Sequence, residues 1–129
     1  MEGKISSYEP GDVLVISTTS DRTVELSSEP GSTLVAGVYA TKPGMLLSAR
    51  HIDEDHSDLV PMGVVGVIPT KVSTENGAIR RGDLLVTSST PGHAMRAGDN
   101  PRTGSVIGKA LENFDGKGTG LIEVLVNVK

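Results

Sequence analysis

Residues 81–111 decide the fold. They begin R-G-D-L-L-V-T-S-S-T-P-G-H-A-M-R-A (81–97) and end S-V-I-G-K-A-L (105–111). Gly82-Asp83 predicts a turn, because glycine can adopt a positive φ and an aspartate side chain accepts hydrogen bonds from nearby backbone. The apolar run that follows predicts a short strand, bounded by the polar turn S-S-T-P-G. A second strand, a loop and a third strand centred on Gly108 complete a three-strand unit.

The same pattern occurs 71 positions earlier in the chain. The matched residues lie in all three strands and in the turns between them: Gly11/Gly82, Asp12/Asp83, Leu14/Leu85, Val15/Val86, Ser17/Ser88, Thr19/Thr90, Val24/Met95, Leu26/Ala97, Pro30/Pro101, Val35/Val106 and Gly37/Gly108. We interpret this as an internal duplication. The alternative is a chance likeness between two β segments rich in glycine and valine. A duplication predicts that residues 12–17 are equivalent to 83–88, and 34–40 to 105–111, with Gly37 superposed on Gly108.

The rest of the chain also has the pattern of strands and turns. Residues 59–71 are strongly β, and V-V-G-V (64–67) resembles V-A-G-V (35–38), which suggests a third copy of the glycine-centred strand. Asn76-Gly77 is a hairpin signal. Residues 121–128 alternate in the way expected of a long strand, and no stretch has a helical period. The predicted fold is all-β, a small barrel or sandwich with an internally duplicated three-strand unit.

Length and composition set the limits of function. The chain has 129 residues, which suits a single β domain over 11–129, preceded by a polar lead-in at 1–10 that we interpret as cut from a longer chain. Aromatic residues are only 2%, so a lone monomer would have a thin core, which favours an oligomer. The net charge is −4, and basic residues are scattered, which argues against nucleic-acid binding. The sequence has no cysteine and no apolar run long enough to span a membrane.

Several segments together resemble a known class of domain. They are V-P-M-G-V-V-G-V-I-P-T-K-V (60–72), E-N-G-A-I-R-R-G-D-L-L (75–85), S-S-T-P-G-H-A-M (88–95), V-I-G-K-A-L (106–111) and G-T-G-L-I-E-V-L-V (118–126). This combination resembles a β domain near the C-terminus of bacterial and phage tail-fibre-like surface proteins. A looser likeness is to trimeric phage head-decoration proteins. The resemblance implies an all-β, trimeric structural module, and it brings no catalytic residue and no cofactor.

The densest group of metal-ligand side chains is R-H-I-D-E-D-H-S-D (50–58). Imidazole and carboxylate groups suit Zn²⁺ and other divalent ions, so His51, Asp53 and His56 are candidate ligands. The segment matches no named metal motif, and its other interpretation is a solvated acidic loop. The same loop is the candidate surface for a ligand- or metal-binding display module.

Enzymatic function has little support in the sequence. Ser88 stands near His93, but a serine nucleophile also needs an orienting acid and an oxyanion hole, and no G-x-S-x-G elbow is present. Arg81-Gly82-Asp83 spells an adhesion tripeptide, which its turn role explains. The glycines at 116–120 are not followed by a helix, as a phosphate loop requires. A self-cleaving fibre domain, reacting at Asn113 or at a strained Ser or Thr, is the remaining enzyme alternative.

The expected function is therefore that of a non-catalytic structural module. It would form a homotrimer and terminate or decorate a fibre or particle, with the parent assembly as its other partner. We expect the final strand, 121–128, and the strand 59–67 to form the interface, with Leu121, Leu125, Val64 and Val67 as contact residues. The location is open, with a virion or an extracellular particle as the expected setting.

Overall fold

The structure, a computed structural model, describes residues 8–21, 23–40, 45–49 and 58–128. The described residues form ten strands: β1 (Val13–Ile16), β2 (Thr23–Leu26), β3 (Val35–Tyr39), β4 (Met45–Ala49), β5 (Asp58–Gly63), β6 (Val65–Ser73), β7 (Leu84–Thr87), β8 (Ala94–Arg96), β9 (Gly108–Ala110) and β10 (Thr119–Asn127). They close into two five-stranded barrels. Barrel 1 has the order β1-β2-β4-β5-β3, and barrel 2 has the order β7-β8-β6-β10-β9. The predicted all-β fold is confirmed.

The two barrels repeat the same pairing, which confirms the duplicated three-strand unit. In barrel 1, Leu14 of β1 lies opposite Gly37 of β3. In barrel 2, Leu85 of β7 lies opposite Gly108 of β9, and both residues are shifted by 71. The equivalence also extends to the strand beyond each glycine. A Cβ on Gly37 would lie 2.6 Å from the Gly63 carbonyl oxygen of β5, and a Cβ on Gly108 would overlap the Leu125 carbonyl of β10.

The Gly-Asp turn is also repeated in detail. The Glu9 N–H donates to the Asp12 carboxylate at 2.7 Å, and the Arg80 N–H donates to the Asp83 carboxylate at 2.8 Å. Gly11 lies within the first of these turns and has a φ of 97°, and Gly82 lies within the second and has a φ of 91°. The turn predicted from the Gly-Asp pair is therefore confirmed in both copies.

The second strands match with an offset of 70, so the ungapped alignment is wrong there. Leu14 pairs with Leu26, but Leu85 pairs with Arg96 rather than with Ala97. The turn between β7 and β8 is one residue shorter than the turn between β1 and β2. Ser17 N–H donates to Thr23, whereas Ser88 N–H donates to His93. Val24 is consequently equivalent to Ala94 and not to Met95.

The fourth position of each barrel is filled differently. In barrel 1, β4 lies parallel to β2 and antiparallel to β5, which follows it in the chain. In barrel 2 the same place, parallel to β8 and antiparallel to β10, belongs to β6, which precedes the three-strand unit. The chain thus enters barrel 2 through its fourth strand and then builds the duplicated unit.

Two local predictions from the glycines are wrong. Asn76-Gly77 forms a turn, with φ of 105° at Gly77, but the strands that it joins, β6 and β7, are not paired with each other. The segment 64–67 is not a third copy of the glycine-centred strand. Gly66 has φ of 128°, and no atom lies within 4 Å of a Cβ built on it, so it does not reproduce the crowded position of Gly37 and Gly108.

One hydrophobic cluster contains residues of both barrels. Val13, Val35 and Val38 of barrel 1 belong to it together with residues such as Leu85 and Val124 of barrel 2. A second cluster, made of Tyr8, Leu14, Val24 and Met62, lies within barrel 1. Because residues 13 and 14 point to opposite sides of β1, Leu14 fills barrel 1 while Val13 is buried in the cluster that contains barrel 2 residues.

Candidate assembly surface

An exposed apolar surface lies on the outer side of barrel 2. On β10, Ile122, Val124 and Val126 point inward and are buried, whereas Leu121 and Leu125 point outward and are 57% and 43% exposed. This is the period-two alternation expected of a strand with one side in a core. The long final strand therefore presents large aliphatic side chains to solvent, as the sequence pattern predicts for a single copy.

The neighbouring strand continues this surface. Val67 of β6 lies opposite Leu125, and Val65 lies opposite Asn127. Val65 and Val67 are 71% and 59% exposed, the highest values among the large hydrophobic residues that the structure describes. We call Val65, Val67, Leu121 and Leu125 together the apolar face. Contiguous exposed apolar residues of this kind commonly mark an interaction site.

The four interface candidates do not all lie on the apolar face. Leu121, Leu125 and Val67 do, but Val64 is half-buried and packs against the cluster inside barrel 1. Val64 stands between β5 and β6, where the chain passes from one barrel to the other. Val65 takes the place that the sequence analysis gave to Val64, because alternate residues of β6 share a side.

Charged residues lie beside the apolar face, on the outer side of β9 and β10. Lys109 of β9 lies opposite Leu125, and Leu84 of β7 lies opposite Lys109. Glu123 lies two residues before Leu125 on β10, opposite Pro69. No ion pair of Lys109 or Glu123 occurs within the described part of the chain. These side chains were missed by the sequence analysis, although the 71-residue shift already places Lys109 at Val38 and Leu84 at Val13.

A three-residue ion cluster joins the two barrels beside the apolar face. The Lys71 ammonium group of β6 donates to Glu9 at 2.5 Å and lies 2.8 Å from the Asp12 carboxylate. Burial lowers the pKa of Lys71, but the hydrogen bonds to Asp12 and Glu9 outweigh this effect and raise the pKa above its usual value. The Lys71 N–H also donates to the Gly11 carbonyl at 2.9 Å. These contacts of Lys71 therefore connect barrel 2 to the residues that lead into barrel 1.

Glu75 organises the turns at one end of barrel 2. Its carboxylate accepts hydrogen bonds from the Ser89 N–H and hydroxyl and from the hydroxyls of Thr90 and Ser73, at 2.7–3.1 Å. Desolvation acts to raise the pKa of Glu75, but these hydrogen bonds prevail and lower the pKa to about 2. The group is a structural acceptor, with its oxygens directed at hydroxyls and backbone rather than at an open site.

The segments considered for catalysis have structural partners. The Ser88 hydroxyl is buried and donates to the His93 carbonyl at 2.8 Å, while the His93 ring Nδ1 lies 2.8 Å from the Pro91 carbonyl. Among the described contacts, none joins the Ser88 hydroxyl to the imidazole. The Asn113 side-chain oxygen accepts from the Arg81 N–H at 2.8 Å.

The adhesion tripeptide and the glycine-rich segment also form turns whose side chains have structural contacts. Arg81-Gly82-Asp83 is the repeated turn, with the Asp83 carboxylate also 3.7 Å from Arg96 Nε. The glycines at 116–120 lead into β10 rather than into a helix, and the Phe114 ring covers Gly120, where a Cβ would lie 2.5 Å from it.

The metal candidates His51, Asp53 and His56 lie outside the described residues. Within residues 8–21, 23–40, 45–49 and 58–128, no group of three or more His, Cys, Asp or Glu side chains is placed to hold a metal ion. The same residues contain no helix with the length and apolar character needed to cross a membrane.

Comparison with known proteins gives no relative for this fold. The chain matches no protein-family model, no curated protein and no solved structure.

Proposed function

We propose that this protein is a non-catalytic structural module that forms a homotrimer and terminates or decorates a fibre or particle. The apolar face is the single observation that carries this proposal. Four aliphatic side chains on two adjacent strands are exposed, and at least 40% of the surface of each is open to solvent. Fully burying one aliphatic side chain stabilises a protein by about 1.5–3 kcal/mol, so covering this face would stabilise an assembly by several kcal/mol.

The closed barrels support self-association through side chains rather than through strand addition. In each barrel every strand has a neighbour on both sides, so neither sheet has a fully open edge for another chain to extend. The outer side of β6 and β10 is an exposed apolar surface of barrel 2 that is available for such a contact. The assignment to fibres or particles rests on the resemblance of the sequence to such surface proteins.

Replacement of Leu125 by Asp tests the role of the apolar face. We expect Leu125→Asp to reduce the sedimenting mass from that of a trimer to the 13.4 kDa of one chain, because a carboxylate at the centre of the contact would have to be desolvated. Ile16→Asp is the matched control, since Ile16 is a 51% exposed aliphatic residue of β1 in barrel 1 and does not belong to the apolar face. The proposal is wrong if both variants keep the mass of the wild-type protein.

A further inference from the structure

The internal repeat gives the row of barrel 2 that contains Leu125 an equivalent within the same chain. On barrel 1, a row of paired residues runs across three strands: Val13 of β1, Val38 of β3 and Gly63 of β5. On barrel 2, the equivalent row is Leu84, Lys109 and Leu125. Leu84 and Lys109 follow Val13 and Val38 by 71 positions each. Gly63 and Leu125 are equivalent because each lies on the strand that pairs with the third strand of the repeated unit, β3 or β9.

The two rows have different surroundings. Val13 and Val38 are fully buried, in the cluster that contains residues of barrel 2. A Cβ on Gly63 would overlap Ile68 of β6, which shows how closely barrel 2 covers this row. On barrel 2 the equivalent positions are exposed, with Leu84 36% and Leu125 43% accessible. The side of the barrel that another barrel covers in the first repeat is therefore uncovered in the second.

The charges within this side restrict what can cover it. Lys109 and Glu123 are diagonal neighbours on β9 and β10, about 7–8 Å apart between Cα atoms. The backbone N–H of Glu123 is held by the Glu112 carboxylate at 3.0 Å, which makes this end of the face more acidic. Burying either charge without an opposite charge would cost several kcal/mol. Because no ion pair joins Lys109 to Glu123 within the described residues, a surface that buries both charges would be stabilised by a carboxylate opposite Lys109 and a cation opposite Glu123.

We propose that the side of barrel 2 formed by Leu84, Lys109, Leu125 and Val67 binds a second copy of the chain, with Lys109 of one copy paired to Glu123 of the next. A second copy carries both charges beside the same apolar residues. This pairing rests on the self-assembly proposed above and adds the contact that sets its register.

Charge reversal tests the pairing. We expect Lys109→Glu and Glu123→Lys each to weaken self-association at least tenfold, because each places like charges together, and the double variant to regain association to within about threefold of wild type. Arg102→Glu is the control for the change in net charge, since Arg102 is exposed on a loop before β9. Thermal unfolding of each variant checks that the fold is kept.

The outcomes separate this inference from the proposed function. A wild-type assembly that Leu125→Asp dissociates, but that both charge reversals leave within twofold of wild-type affinity, overturns the Lys109–Glu123 pairing alone. A double variant as weak as the single variants also overturns it. A wild-type protein that is monomeric at micromolar concentration overturns both the pairing and the proposed self-assembly.

Mixing the Lys109→Glu and Glu123→Lys variants distinguishes a dimer from a ring of three. In a symmetric dimer of one copy of each variant, every contact joins opposite charges. In a ring of three, one contact between like charges remains.

Discussion

The Gly-Asp turn occurs twice in the molecule, and its two copies have different surroundings. A Cβ on Gly11 would lie 2.9 Å from Leu121 Cδ1 and 3.3 Å from Lys71 Cγ, both in barrel 2. A Cβ on Gly82 would meet no atom within 4 Å. The backbone requires glycine at both positions because φ is positive, but the contact between barrels adds a second requirement at Gly11 alone.

Alanine substitution at these glycines separates the two requirements. We expect Gly82→Ala to lower the free energy of unfolding by about 1 kcal/mol, the cost of a positive φ at a residue with a side chain. Gly11→Ala should cost about 1 kcal/mol more, because its methyl group must displace Leu121 or Lys71. Urea unfolding of the two variants measures the difference. Equal losses would mean that the barrel contact at Gly11 is looser than described.

Glu75 gives the stability a dependence on pH. Its folded pKa, about 2, is lower than the ordinary value of 4.5, so the carboxylate stabilises the fold above pH 4.5, and this contribution is lost as pH falls towards 2. We expect Glu75→Gln to melt below wild type by a constant margin at pH 5–7, and by a margin that shrinks to nothing near pH 2. Glu29→Gln, at an exposed position, is the control. A margin independent of pH would contradict this role.

Some residue roles could be predicted from the sequence and others could not. Gly82-Asp83 could, because a turn is a local structure and its hydrogen bond spans three residues. The pairing of Lys71 with Glu9 could not, because Glu9 lies 62 positions away along the chain, and neither could the bonds from Ser89 and Thr90 to Glu75, which span 14 and 15 positions. A lysine within an apolar strand and a glutamate near a hydroxyl-rich turn are visible in the sequence. The pairing of Lys71 depends on how the two barrels meet, and that of Glu75 depends on how the turn at residues 88–91 folds back over β6.

Among the strands, β3 and β9 each approach the next strand of their barrel closely at a glycine. Gly37 and Gly108 lie where the carbonyl of the next strand leaves no room for a side chain. These glycines can be recognised as equivalent from the sequence, because their register relative to the preceding strands is preserved. The place of β6 as the fourth strand of barrel 2 cannot be recognised in this way, because β6 meets β8 through a single residue pair, Val72 with Ala94, which has no local signature.

Substitution at Gly108 tests the close approach of β9 and β10. We expect Gly108→Ala to destabilise the protein by roughly 3 kcal/mol or more, since its Cβ would overlap the Leu125 carbonyl and the strands would have to separate. Gly98→Ala is the matched control, because a Cβ there meets no atom within 4 Å and Gly98 is exposed. Chemical denaturation that gives similar losses for the two variants would rule out this packing.

The two barrels of the molecule are similar in pairing but differ in burial. Val13 and Val38 on the outer side of barrel 1 are buried within the chain, whereas the equivalent residues of barrel 2, Leu84 and Lys109, are exposed. The low aromatic content could be read from the sequence as a sign of a thin core, and the alternation of 121–128 correctly placed Leu121 and Leu125 on the outside. The number of barrels could not be predicted, because closure depends on strands that are distant in the chain.

The mass of the wild-type protein in solution tests the central claim most directly. Sedimentation equilibrium at 1–100 μM should give about 40 kDa, three times the 13.4 kDa of the chain, if the exposed side of barrel 2 is covered by further copies. The mass should stay constant over this range, because a ring of three closes all of its contacts. A mass of 13.4 kDa throughout the range would contradict the account.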